Sequence, residues 1–250
     1  MPISHYCEKA RWALDRAGLA YREERHIQGI HQLVARRAGG GTTLPVLLDD
    51  GVVLTSSESI LRYADEGLAP EHRLFPAGPR ACDEVVRLSR HLDAGLGPDG
   101  RRWIYAQMLP LRELLLRYNN QGVPPWEARF MTTALPLVSR FARRHLAVTG
   151  TTIADDEPRV TAAFDEIAAR LADGRPFLCG DRFSAADLTF AALAAPVVVP
   201  PQYGVALPQP AELPAGLAAS IEAFRAHPAG VYALELFRTE RVRSPGAPAG

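Results

Sequence analysis

Two β-rich runs joined by Asp50-Gly51, in "TLPVLLDDGVVLT" over residues 43–55, constrain this chain more than any other stretch. An Asp-Gly pair between alternating apolar residues favours the left-handed backbone of a tight hairpin turn, so the two runs pair as antiparallel neighbours. A lone hairpin is marginal in water and needs a covering helix. The flanks offer several. Upstream, "CEKARWALDRAG" repeats apolar residues at helical spacing (Ala10, Leu14, Ala17, with Trp12 and Ala13) before Gly18 stops it. "AYREERH" then alternates weakly, as a half-buried strand does, and "GIHQLVARRAGGG" reads as a short helix ending in glycines. Downstream, "SSESILRYADEG" is a capped helix with Ile60, Leu61 and Ala64 on one side. Residues 1–67 therefore read helix, strand, short helix, hairpin, helix.

Beyond residue 67 the pattern changes. "LAPEHRLFPAGPR" carries three prolines and reads as a linker over 68–80. The rest, 81–240, reads as an all-helical domain, with helices expected over about 80–95, 101–119, 125–148, 157–173, 184–195 and 215–238. The last is expected to break near His227-Pro228. Residues 241–250, "RVRSPGAPAG", read as a disordered tail. With 250 residues and 47% hydrophobic side chains the chain has material for one large core or two modest ones. Basic and acidic residues balance at 28 each, which argues against a nucleic-acid or anionic-membrane partner. No apolar run approaches the roughly 20 residues of a membrane helix. The three cysteines are scattered and form neither a disulfide framework nor a zinc pattern, so a reducing cytoplasm and no metal are expected.

Three short stretches carry chemistry and also have plain structural readings. Ser4, before the first helix, is a good N-cap; the same position lets a hydroxyl and the helix dipole stabilise a thiolate. Cys7, one turn on, is either a small packed hydrophobe or a thiol with a depressed pKa. Pro45 at a strand entrance is either an edge-strand detail or a cis-proline that turns the Val46 backbone toward a ligand. Ser57-Glu58-Ser59 either cap a helix or receive a carboxylate at its N-terminus, with Glu58 available to an ammonium group.

Taken in order, "SHYCEKARWAL", "LPVLLDDG" and "SSESI" resemble the thioredoxin-like domain of glutathione transferases. "FLCGDRFSAADLTFAAL", 177–193, resembles the N-capping box of that family's helical domain. There Ser184 and Asp187 serve folding, and Phe183 and Leu188 have the spacing of a hydrophobic staple. The resemblance implies an α/β thioredoxin-like N-terminal domain followed by an all-α helical-bundle C-terminal domain, in a serine/cysteine-type, bacterial-like member. It implies glutathione as co-substrate and a small-molecule electrophile as second substrate. It also implies a cytoplasmic homodimer. Carried over by residue, Ser4 activates the thiol, with Cys7 the alternative, Val46 holds the cysteinyl backbone, and Glu58 and Ser59 hold the γ-glutamyl end. Trp103, Tyr105, Met108 and Tyr118 either line the second-substrate pocket or pack in the core. A thiol oxidoreductase or isomerase using Cys7, and a non-catalytic binding module, are the alternatives. Two departures stand out. His5 occupies a position where proline is frequent. Only Met1, Pro2 and Ile3 precede Ser4, where the family has a central β-strand, so the natural start is expected upstream unless the first domain is degraded.

Overall fold

The computed structural model describes residues 1–241. Its first part comprises α1 (His5–Arg16), α2 (Ile30–Arg37), the strands β1 (Leu47–Asp49) and β2 (Val52–Leu54), and α3 (Ser57–Glu66). The hairpin forms as expected. β1 and β2 pair antiparallel with Asp49 opposite Val52, and Asp50 and Gly51 both take positive φ in the turn. The strand expected over 20–26 does not form: the segment has no regular secondary structure, and the sheet among the described residues holds only β1 and β2. Alternation in sequence licenses an extended backbone; a ladder also needs a partner strand alongside, and none flanks this segment among the described residues.

A single-turn 3-10 helix at Pro70–His72 leads into the helical part. It contains α4 (Pro79–Ala94), α5 (Leu96–Met108), α6 (Arg112–Asn119), α7 (Pro125–His145), α8 (Thr152–Leu171), α9 (Ala185–Val198), α10 (Ala215–Ala226) and α11 (Pro228–Thr239). The helix expected over 101–119 is two helices, and the first begins five residues earlier. Pro110 ends α5 because it has no amide to donate and its ring crowds the preceding turn. His227 breaks the last pair, as anticipated, with its ring Nδ1 accepting from the Ala229 amide. No helix among the described residues is long and apolar enough to cross a membrane.

α9 is the central element. Thirteen of its residues are buried, from Ala185 to Val198, and it packs against α1, α4, α5, α10 and α11. Its N-terminus carries the expected reciprocal cap: the Ser184 amide and hydroxyl both donate to the Asp187 carboxylate, at 2.8 and 2.7 Å. Phe183, the expected staple residue, stacks on Trp12 and meets Phe177 edge-on.

α1 departs from the amphipathic helix expected from its apolar spacing. Glu8, Lys9, Arg11 and Asp15 are buried along with the apolar residues. Each charge is matched. Lys9 reaches Asp93 of α4 at 2.7 Å, Arg11 bridges Glu8 and Glu23, and Arg241 joins Glu8 to Asp15. The Gly204 amide also donates to Glu8, and a Cβ at Gly204 would collide with both the Glu8 carboxylate and the Arg11 guanidinium. Arg241, read from sequence as the first residue of a loose tail, is thus fixed in the core; the remainder of that stretch, 242–250, lies outside the described residues.

Candidate active-site cleft

Ser4 caps α1 from an extended backbone, its Oγ accepting from the Cys7 amide at 3.4 Å. No carbonyl or carboxylate among the described residues takes the hydroxyl proton, which leaves Ser4 able to donate to a ligand atom. The serine lies on the wall of a cleft of about 440 Å³ between the first part of the chain and the helical part. The first part contributes Ser4, His5, Tyr6, Gln28, Gly29, His31, Thr42, Thr43, Leu44, Thr55, Ser56 and Ser57. The helical part contributes Arg101 and Tyr105 of α5 and Phe141, Ala142 and His145 of α7.

The N-termini of α1, α2 and α3 border this cleft, through Ser4, Gly29 and Ser56. The N-cap of α3 is Ser56, one residue earlier than the sequence stretch first considered. Its hydroxyl accepts from the Ser59 amide at 3.1 Å, and the Ser59 hydroxyl donates back to the Ser56 carbonyl at 2.8 Å. Both groups of Ser59 expected to meet a γ-glutamyl carboxylate are therefore spent on the cap. Glu58 is held by Arg90 of α4 through two contacts at 3.0 Å, and by Arg62 of α3 at 3.3 Å; these guanidinium groups keep its carboxyl below the usual carboxylate range. Neither Glu58 nor Ser59 lines the cleft. Ser56 and Ser57 do.

The Leu44–Pro45 peptide is cis. Leu44 borders the cleft, whereas Pro45 and Val46 line a separate groove of about 590 Å³ behind it. Cys7 lines that same groove, together with Arg11 and the 20–24 segment that includes Glu23. The sequence candidates thus fall into two sets. Ser4 is in the cleft, while Cys7 and Val46 line the groove. All three cysteines are free thiols.

Next to the cleft lies a small, mainly apolar cavity of about 70 Å³. Ile104, Tyr105, Met108, Leu115 and Tyr118 line it, together with Tyr203, Leu207 and Leu213 of the segment between α9 and α10. Three of the four aromatic or sulfur side chains weighed in the sequence are in this wall. Trp103 is not: it is fully buried, its indole nitrogen donating to Glu157 of α8 at 3.0 Å.

His5 and Arg101 border both spaces. His5 is 4% exposed. Burial, with help from the nearby Arg101 and Lys9 charges, pushes its imidazole down to about 3, so the ring is neutral near pH 7. The Tyr105 hydroxyl accepts from Gln28 at 2.6 Å, and burial raises its pKa to about 12. Sequence reading singled out neither Arg101 nor Gln28. An Arg-Arg pair on a helix looks like solvated surface, and only the fold distinguishes Arg101 from Arg102, which binds Asp99 and Asp156.

Residues 1–72 match the family model of the glutathione S-transferase N-terminal domain, and residues 150–226 match that of the glutathione S-transferase C-terminal domain. Together the two matches span more than half of the chain. This chain belongs to the glutathione transferase family. Its small α/β part and helical part correspond to that family's thioredoxin-like and helical domains. Similar solved structures include glutathione transferase GSTFuA3 from Phanerochaete chrysosporium, 20% identical, with a TM-score of 0.59 over 96% of this chain and 93% of that one. A glutathione S-transferase of Ceriporiopsis subvermispora, solved in complex with glutathione, is 19% identical with a TM-score of 0.59, covering 97% and 94% of the two chains. One from Pseudomonas fluorescens is 18% identical with a TM-score of 0.57, covering 98% and 96%. At these identities the likeness is one of fold. A search of curated proteins returns no match.

Proposed function

We propose that this protein binds glutathione in the cleft between its two parts and activates the thiol, through Ser4, for attack on an electrophilic small molecule. The observation that carries this reading is the position of Ser4: at the tip of α1, on the cleft wall, with a hydroxyl proton that no described residue accepts. A thiol with a pKa of about 8.5 is mostly protonated at neutral pH, and the thiolate is the nucleophile. Bringing that value down to about 6.5 takes about 2.7 kcal/mol of preferential thiolate stabilisation. One charge-assisted hydrogen bond from Ser4 and the positive end of the α1 dipole are of that order. The sulfur then forms a bond to the electrophilic carbon, the leaving group departs with its bonding electrons, and the thiol proton is released to solvent.

Glutathione would extend from Ser4 toward α3, where the free first-turn amides beside Ser56 and Ser57 suit the γ-glutamyl carboxylate. Glu58 and Ser59 support that helix end in this arrangement, Glu58 through Arg90 and Ser59 through the cap. The second substrate would sit on the helical side, against Tyr105 and Met108. Ser4 lines the cleft and Cys7 the groove, which favours transfer through the bound thiol over disulfide exchange through Cys7.

Calorimetric titration of the full chain with glutathione tests the binding half of this reading. One saturable site per chain is expected. Ser59→Ala should lower unfolding stability by about 1 kcal/mol, as the loss of half a reciprocal cap does, while changing glutathione affinity less than threefold. Absence of glutathione binding by the folded wild type would overturn the reading. A tenfold affinity loss in Ser59→Ala at unchanged stability would return the contact to Ser59.

A further inference from the structure

The wall shared by the cleft and the apolar cavity carries an uncompensated positive charge. Arg101 borders both spaces and has no ion pair or hydrogen bond to any described residue, and its Nε is buried without a partner. Its neighbour Arg102 shows the ordinary outcome, with Asp156 at 2.5 Å and Asp99 at 2.6 Å. No Asp or Glu lines either space. On the same wall, Nε2 of the buried His5 also lacks a partner. Buried polar atoms are almost always satisfied, and a partly desolvated guanidinium without an anion is costly. Two such groups side by side, facing an otherwise apolar space, describe the complement of a ligand.

We infer that this wall selects an anionic, largely apolar molecule, whose carboxylate pairs with Arg101 beside His5 while its apolar body lies in the cleft and extends one edge into the cavity along Ile104, Met108 and Leu115. The inference rests on the proposed function only in assigning that molecule to the second-substrate side; the binding site itself does not depend on it. A planar guanidinium holds a carboxylate through two parallel hydrogen bonds, which gives discrimination against a neutral isostere. Of glutathione's two carboxylates, the γ-glutamyl one has a candidate receptor at α3 and the glycyl one has His31 and Gln32 of α2 on the cleft wall. Arg101 is then left to the other ligand, and a loss of glutathione affinity in Arg101→Gln would instead assign it to the glycyl carboxylate.

The test compares 2-naphthoate with 2-naphthamide, which share an apolar body and differ in charge, by fluorescence titration with and without saturating glutathione. The wild type should bind the naphthoate at least tenfold more tightly than the amide. Arg101→Gln should abolish that preference, Arg101→Lys should keep part of it, and both variants should hold glutathione within threefold of the wild type. Arg101 makes no described contact whose loss would unfold the chain, and melting curves of both variants confirm that the comparison is between folded proteins. Equal affinity of the wild type for the two probes would overturn the inference. So would an Arg101→Gln variant that keeps the preference, or one that loses glutathione instead of the naphthoate. Failure of the wild type to bind glutathione, with the naphthoate preference still dependent on Arg101, would sink the proposed function and leave this site standing.

Discussion

Glu8→Ala should destabilise the protein by about 3–5 kcal/mol, the cost of removing one partner from a buried ion pair. Glu8 is fully buried and receives Arg11, Arg241 and the Gly204 amide. Its loss leaves Arg11 with Glu23 and Arg241 with Asp15, so that two buried guanidinium groups share less negative charge and the tie between Arg241 and α1 is halved. Chemical denaturation reads the effect directly, and a loss below about 1 kcal/mol would show that Arg241 finds water or another partner when Glu8 is removed. The same carboxylate makes the fold acid-sensitive. Burial pushes its pKa up, but Arg241 and Arg11 outweigh that and hold it below the usual carboxylate range. A depressed folded value contributes stability above the unfolded pKa of about 4.3, and that contribution is lost as pH falls through the lower folded value. Glu8→Gln should therefore be less stable than the wild type at pH 7 and show a shallower loss of stability on acidification.

Asp187→Ala should cost about 2–4 kcal/mol, more than the roughly 1 kcal/mol of an ordinary cap. The sequence spacing predicts only the bond back to Ser184. In the fold the buried carboxylate also accepts from the Leu178 amide at 2.8 Å and the Tyr232 hydroxyl at 2.6 Å, tying α9 to the preceding loop and to α11. Alanine leaves these donors without an acceptor in a closed core. Glutathione affinity per folded molecule should not change. A selective loss of binding at unaltered melting temperature would identify Asp187 as part of the site.

Those two carboxylates illustrate what the sequence does and does not reveal. Local signals were legible: the Asp-Gly hairpin, the Ser184/Asp187 cap, the break at His227-Pro228 and the change from mixed to helical pattern near residue 68 each depend on residues a few positions apart. Signals needing a distant partner were not. Residues 20–26 alternate as a strand does but lie beside no strand among the described residues. The apolar spacing of α1 says nothing of Glu8 and Asp15, because Arg241, more than 200 residues away, is what permits their burial. At the site, Ser4 was legible from its place at a helix tip. The choice among Ser56, Ser57 and Ser59 was not, since in a run of hydroxyls any one can cap and only backbone geometry decides which is consumed. Arg101 carried no signal of its own: its distinction is the absence of a partner that its neighbour has.

The central claim, that Ser4 lowers the pKa of a bound thiol, is tested most directly by ultraviolet thiolate absorbance of glutathione in complex with the wild type, Ser4→Ala and Cys7→Ala, followed against pH. In the wild type the bound thiol should ionise near pH 6.5, below the value of about 8.5 for a free thiol. Ser4→Ala should move that titration upward by at least one pH unit, a loss of about 1.4 kcal/mol that appears as a tenfold or greater fall in turnover. Cys7→Ala should leave the titration in place, because Cys7 lines the groove and not the cleft. A titration that shifts in Cys7→Ala and stays put in Ser4→Ala would contradict the account.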